Sequence, residues 1–104
     1  LTAANLVAFS SRLIAAARAQ ESRRADRLFN DPFAELLAAG TAKEDSVSDR
    51  SSHAAASAEK WTRMLPIRTR FCDDFFEDCV LSRDIKQVVS LGAGMDTRGL
   101  RLRV

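Results

Sequence analysis

Two groups of residues in this 104-residue chain have types and spacing suited to chemistry. The first is Val88-Val89-Ser90-Leu91-Gly92-Ala93-Gly94-Met95-Asp96-Thr97-Arg98. Val88, Val89 and Leu91 form an apolar run of strand length. Gly92 and Gly94 let the backbone turn tightly and approach a ligand with no Cβ in the way. Asp96 or Thr97 then stands where a helix N-cap is expected. Strand, Gly-x-Gly turn and helix start together form a common nucleotide pocket of α/β sheets. The dinucleotide fingerprint needs a third glycine, and Thr97 occupies its place. By itself the pattern suits a ligand turn and an ordinary strand-to-helix turn equally.

The second group is Arg68 and Arg70. A guanidinium presents planar, paired donors that match a carboxylate. Arg70 has Asp73 at i+3 and Asp74 at i+4, so an ion pair along a helix accounts for it. Arg68 has no acid at those spacings and is the freer of the two to reach a ligand. Asp96 has two readings: a cap for the helix after the turn, or a group that hydrogen-bonds a ligand and orders the glycine loop. Arg98 is expected to pair with an acid of the preceding helix.

The elements that must position these groups read as helices. Residues 3–20 carry an apolar stripe of Leu6, Phe9, Leu13 and Ile14 and an alanine-rich run, Ala15-Ala16-Ala17-Arg18-Ala19, that favours helix. Asp31-Pro32 reads as N-cap and first position of a short helix over 32–39, stapled by Phe29 against Leu36 or its neighbours and ended at Gly40. Thr41 to Ser52 is a polar loop, and Ala54 to Leu65 is amphipathic. Pro66 either starts a new helix or kinks a continuing one. Ile67, Phe71, Phe75 and Cys79 recur at four-residue steps with Cys72, Phe76 and Val80 beside them, a broad apolar face that predicts a helix over 67–81 with Asp73, Asp74, Glu77 and Asp78 on its other, solvated side. Arg83-Asp84 turns the chain into a strand at 87–91, and a further helix begins at Thr97.

Composition bounds the rest. Sixteen basic against fourteen acidic residues leave a net charge of +2, so no strong attraction to a polyanion is implied. Arg12, Arg18, Arg23, Arg24 and Arg27 read as a solvated helix face. With no Tyr to interleave them, nucleic-acid binding is not expected. Arg12 and Arg18 interrupt the first apolar stretch, so no membrane span is expected. Cys72 and Cys79 lie two turns apart on one helix face, too far for a disulfide. They are expected as reduced thiols in the cytoplasm. No Cys-x-x-Cys and no nearby His suggest a metal site, and the lone His53 reads as a surface group.

Leu91-Gly92-Ala93-Gly94-Met95-Asp96-Thr97-Arg98 with Leu100-Arg101-Leu102 closely resembles the first motif of the leucine carboxyl methyltransferase family of class I S-adenosylmethionine-dependent enzymes. Ala17-Arg18-Ala19, Leu28-Phe29-Asn30-Asp31-Pro32-Phe33-Ala34 and Ile67-Arg68-Thr69-Arg70-Phe71 resemble other segments of that family, so the likeness spans nearly the whole chain. The resemblance implies an α/β fold: a helical cap over 1–84 leading, at 85–104, into the first strand and glycine turn of a Rossmann-like sheet. It implies S-adenosyl-L-methionine as cofactor. Arg68 is then the grip on the cofactor's carboxylate, and Gly92, Ala93, Gly94 and Asp96 are further cofactor-binding residues. The reaction implied is methyl transfer to an oxygen, with a carboxylate as one acceptor. No catalytic residue is named. Ser90 departs from an acid found there in many class I methyltransferases.

A parallel sheet needs more than one strand, and the acid that ends the family's second strand would lie beyond Val104. The chain is therefore expected to be the N-terminal part of a longer protein. It is expected to associate with the remaining sequence or with another copy. Two rival readings are a non-catalytic helical interaction module and a nicotinamide-binding Rossmann protein, the latter disfavoured by Thr97.

Overall fold

The computed structural model describes residues 2–39 and 52–103. The described residues form four helices: α1 (Ala3–Ser22), α2 (Ala34–Leu37), α3 (Ser52–Leu81) and α4 (Arg98–Arg101). α1 packs against both α2 and α3. The expected Gly40 cap and the loop from Thr41 lie outside the described residues, as does the side chain of His53.

α1 matches the expected span, but it packs on a different face. Leu13 and Ile14 remain partly exposed, whereas Ala15, Ala17, Arg18, Ala19 and Glu21 are buried. Small side chains let the returning chain come close, and the long polar ones fasten it. Glu21 accepts from the Leu28 amide at 2.8 Å, and the Ser22 hydroxyl accepts from the Asp31 amide at 2.9 Å. These bonds fold residues 23–31 back onto α1. Arg18, expected on a solvated face, is inside because a carboxylate meets it there.

The short helix is only one turn long. Asp31 does serve its start: its Oδ1 accepts from the Phe33 amide at 3.0 Å and its carbonyl from the Ala34 amide at 3.3 Å. Leu36 is 78% exposed and so is not the partner of the buried Phe29 in the expected staple, whereas its neighbour Leu37 is half-buried. The Arg101 guanidinium lies over the Phe29 ring instead, 5.5 Å from its centroid.

α3 runs unbroken through Pro66. The ring removes one amide donor, but the helical turns on either side of it hold the geometry. One edge of its expected apolar face is turned outward, for Ile67, Phe71 and Phe75 are exposed, while Cys72, Phe76, Cys79 and Val80 are half-buried. The packed face is Leu65, Thr69 and Asp73, at four-residue steps. Asp73, expected on the solvated side, is buried because two arginines reach it from the chain's end.

After α3, Asp84 takes a left-handed φ of 55° and turns the chain, as Arg83-Asp84 predicts. The strand expected at 87–91 does not form among the described residues, and Val89 and Leu91 are exposed. A strand is defined by its ladder, and no described segment lies alongside to supply one. The observed architecture is thus mostly α.

Candidate functional site

The glycine turn folds on local rules. Gly92 and Gly94 hold φ of 61° and 54°, a region that L side chains rarely adopt. The Asp96 amide donates to the Ala93 carbonyl at 3.0 Å and closes the turn. A Cβ on Gly94 would meet the Ser11 hydroxyl oxygen at 3.0 Å, so this glycine lets the turn lie against α1. Gly92 has open space around it.

Asp96 fastens the start of α4. Its Oδ1 accepts from the Arg98 amide at 2.9 Å and its Oδ2 from the Arg98 guanidinium at 2.6 Å. Arg98 also donates through Nε to Asp73 at 3.0 Å, the ion pair with the long helix that the sequence suggests. Arg101 donates to the same Asp73 oxygen at 2.7 Å.

A buried polar cluster joins this turn to the rest of the molecule. Asp31 Oδ2 accepts from Arg18 Nε at 2.8 Å and from the Thr97 hydroxyl at 2.6 Å. Arg18 donates its Nη2 to the Met95 carbonyl at 2.6 Å. Burial pushes the Asp31 carboxyl up, but the hydrogen bonds from Thr97, Arg18 and the Phe33 amide, with the charge of Arg18, outweigh it. Together they hold Asp31 below its ordinary value. Three arginines (18, 98, 101) face three aspartates (31, 73, 96), so the cluster is neutral without outside charge.

A cavity of about 450 Å³ opens beside it, within the ordinary range for small-molecule sites. Its walls include Ser11, Ile14 and Arg18 of α1, Leu65 and Arg68 of α3, the turn from Ser90 to Asp96, and Arg98 and Arg101 of α4. All five residues singled out from sequence, Arg68, Gly92, Ala93, Gly94 and Asp96, therefore line one space. Arg70 is not among them: it pairs with Asp74 at 2.8 Å and donates to the Leu28 carbonyl at 3.2 Å. Among the described residues Arg68 has no ion-pair partner, so its charge is available to a ligand. Sequence reasoning missed the Arg18–Asp31–Thr97 cluster. Arg18 and Asp31 are thirteen residues apart and Thr97 is 66 beyond Asp31, so no local spacing connects them.

The family described as leucine carboxyl methyltransferase matches residues 11–104. The chain belongs to the leucine carboxyl methyltransferase family. A Mycobacterium tuberculosis relative named "Putative S-adenosyl-L-methionine-dependent methyltransferase" is 38% identical across 95% of this chain and 30% of its own length. A relative of the same name from Saccharopolyspora erythraea is 36% identical across 92% of this chain and 33% of its own. This member of the family thus spans about a third of the curated relatives it matches. No solved structure matches it. No helix among the described residues is long and apolar enough to cross a membrane.

Proposed function

We propose that this chain supplies the cap and the cofactor turn of an S-adenosyl-L-methionine-dependent O-methyltransferase, a carboxylate being one candidate acceptor. The single observation that carries the reading is Arg68. It is a guanidinium with no ion-pair partner among the described residues, lining a 450 Å³ cavity that the glycine turn also lines. The residues fit the group. Arg68 would hold the cofactor's carboxylate through paired donors. The turn of Gly92, Ala93 and Gly94 would pass its backbone close to the ligand. Asp96 keeps lone pairs beside its Arg98 bonds and would both order the loop and face the ligand. Bound there, the cofactor would supply an electrophilic methyl group, and a carboxylate acceptor needs no general base to take it. Alignment of donor and acceptor then supplies much of the rate.

On this reading residues 1–84 are a helical cap and 85–104 open a Rossmann-like domain. The exposed stripe of Trp61, Ile67, Phe71 and Phe75 supports a partner in further polypeptide of the same protein or a second copy. Two free thiols, Cys72 and Cys79, support a reducing compartment, the cytoplasm.

Calorimetric titration of the protein as isolated tests the proposal. S-adenosylmethionine should bind and NAD should not. Arg68→Ala should weaken binding by about 1.5–3 kcal/mol, the range for charged hydrogen bonds. Arg68→Lys should also lose affinity, because the paired geometry goes. Unchanged affinity in a folded Arg68→Ala protein refutes the assignment.

A further inference from the structure

We infer that Thr97 is a positioning residue for cofactor binding: acting through Asp31 and Arg18, it holds the glycine turn in its receiving shape. The inference rests on the cofactor reading above. Thr97 stands where dinucleotide turns carry their third glycine, and here it is 1% exposed. Its hydroxyl donates to Asp31 Oδ2 at 2.6 Å and accepts from Arg101 Nε at 3.2 Å. Arg18 donates to that same carboxylate oxygen and, through its other arm, to the Met95 carbonyl. The backbone on one side of Asp96 and the side chain on the other are thus tied to one buried acid.

The tie matters because the turn has little of its own to hold it. Two glycines give it wide conformational freedom, and the Asp96–Ala93 bond is the one backbone bond within it. Freedom left in a binding loop is lost when the ligand arrives, which weakens affinity. Met95 and Asp96 line the cavity, whereas Thr97 and Asp31 stand behind them, outside its lining. Thr97 therefore acts on a ligand through the turn and not by touch. A glycine in its place would remove the tie and add another loose residue.

The test is Thr97→Val, which keeps shape and loses the hydroxyl, beside Thr97→Ser, which restores the hydroxyl. Both are made in the protein as isolated. S-adenosylmethionine affinity is read by calorimetry, folding by circular dichroism, and exchange of the Gly94 and Met95 amides by hydrogen–deuterium labelling without ligand. The valine variant should stay folded, bind about tenfold more weakly and exchange those amides faster. The serine variant should return all three readings close to wild type. A folded valine variant with wild-type affinity overturns the inference and leaves the cofactor reading standing. If the valine variant does not fold, Thr97→Ala takes its place, losing the same hydroxyl with a smaller side chain that also stands outside the cavity lining. Wild-type affinity there, or loss of folding in both, overturns the inference. Wild-type protein that does not bind S-adenosylmethionine overturns both readings.

Discussion

Asp31→Ala is the most searching perturbation of this fold. The carboxylate accepts from Arg18, Thr97 and the Phe33 amide, and Arg101 Nε lies 3.9 Å away. Its side chain is fully buried and that of Arg18 is 8% exposed. Alanine would strand the Arg18 charge and the Thr97 hydroxyl away from water. Removing one partner of a buried ion pair costs about 3–5 kcal/mol, because the remaining charge is left uncompensated. The Arg18 bond to Met95 survives, so the total should stay within that range. Urea unfolding monitored by circular dichroism reads the loss as a fall in midpoint at constant slope. A loss under about 1 kcal/mol would refute the account of this cluster. The same carboxyl predicts a pH dependence. Its folded pKa lies below the ordinary 3.8, so its stabilisation is complete above that value and is lost as pH falls through the depressed folded pKa. Wild type and Asp31→Asn should therefore converge in stability under strong acid. A gap that stays constant from neutrality to below that folded pKa would contradict the assigned protonation.

Two further outcomes are expected from the turn and from the exposed faces. Gly94→Ala should lower the melting temperature more than Gly92→Ala. Both positions are strained by positive φ, but only the first drives a methyl into Ser11. Equal shifts in differential scanning calorimetry would show that the approach to α1 does not matter. Residues 1–104 produced alone should be marginally stable and should self-associate through Phe71, Phe75, Val89 and Leu91, all exposed. A stable monomer in sedimentation at micromolar concentration would contradict this.

The sequence by itself determined the elements whose causes are local. The alanine run over 15–19 makes α1, Asp31-Pro32 starts the next turn, and Asp84 breaks the chain after the long helix. Arg70 finds Asp74 because i, i+4 neighbours meet on any helix. The glycine turn and Arg68 stood out as candidates from their types and from a resemblance, and the fold brings them to one cavity. Tertiary structure decided which faces are inside. The stripes of Leu13 and Ile14 and of Ile67, Phe71 and Phe75 satisfy helical periodicity, yet what lies against a helix is set by distant parts of the chain. Asp73 and Arg18 look like surface groups by type; each is buried because a counter-charge arrives from elsewhere in sequence. The strand at 87–91 shows the same limit from the other side. Val88, Val89 and Leu91 carry the propensity, but a strand exists only with a ladder partner, and propensity cannot provide one.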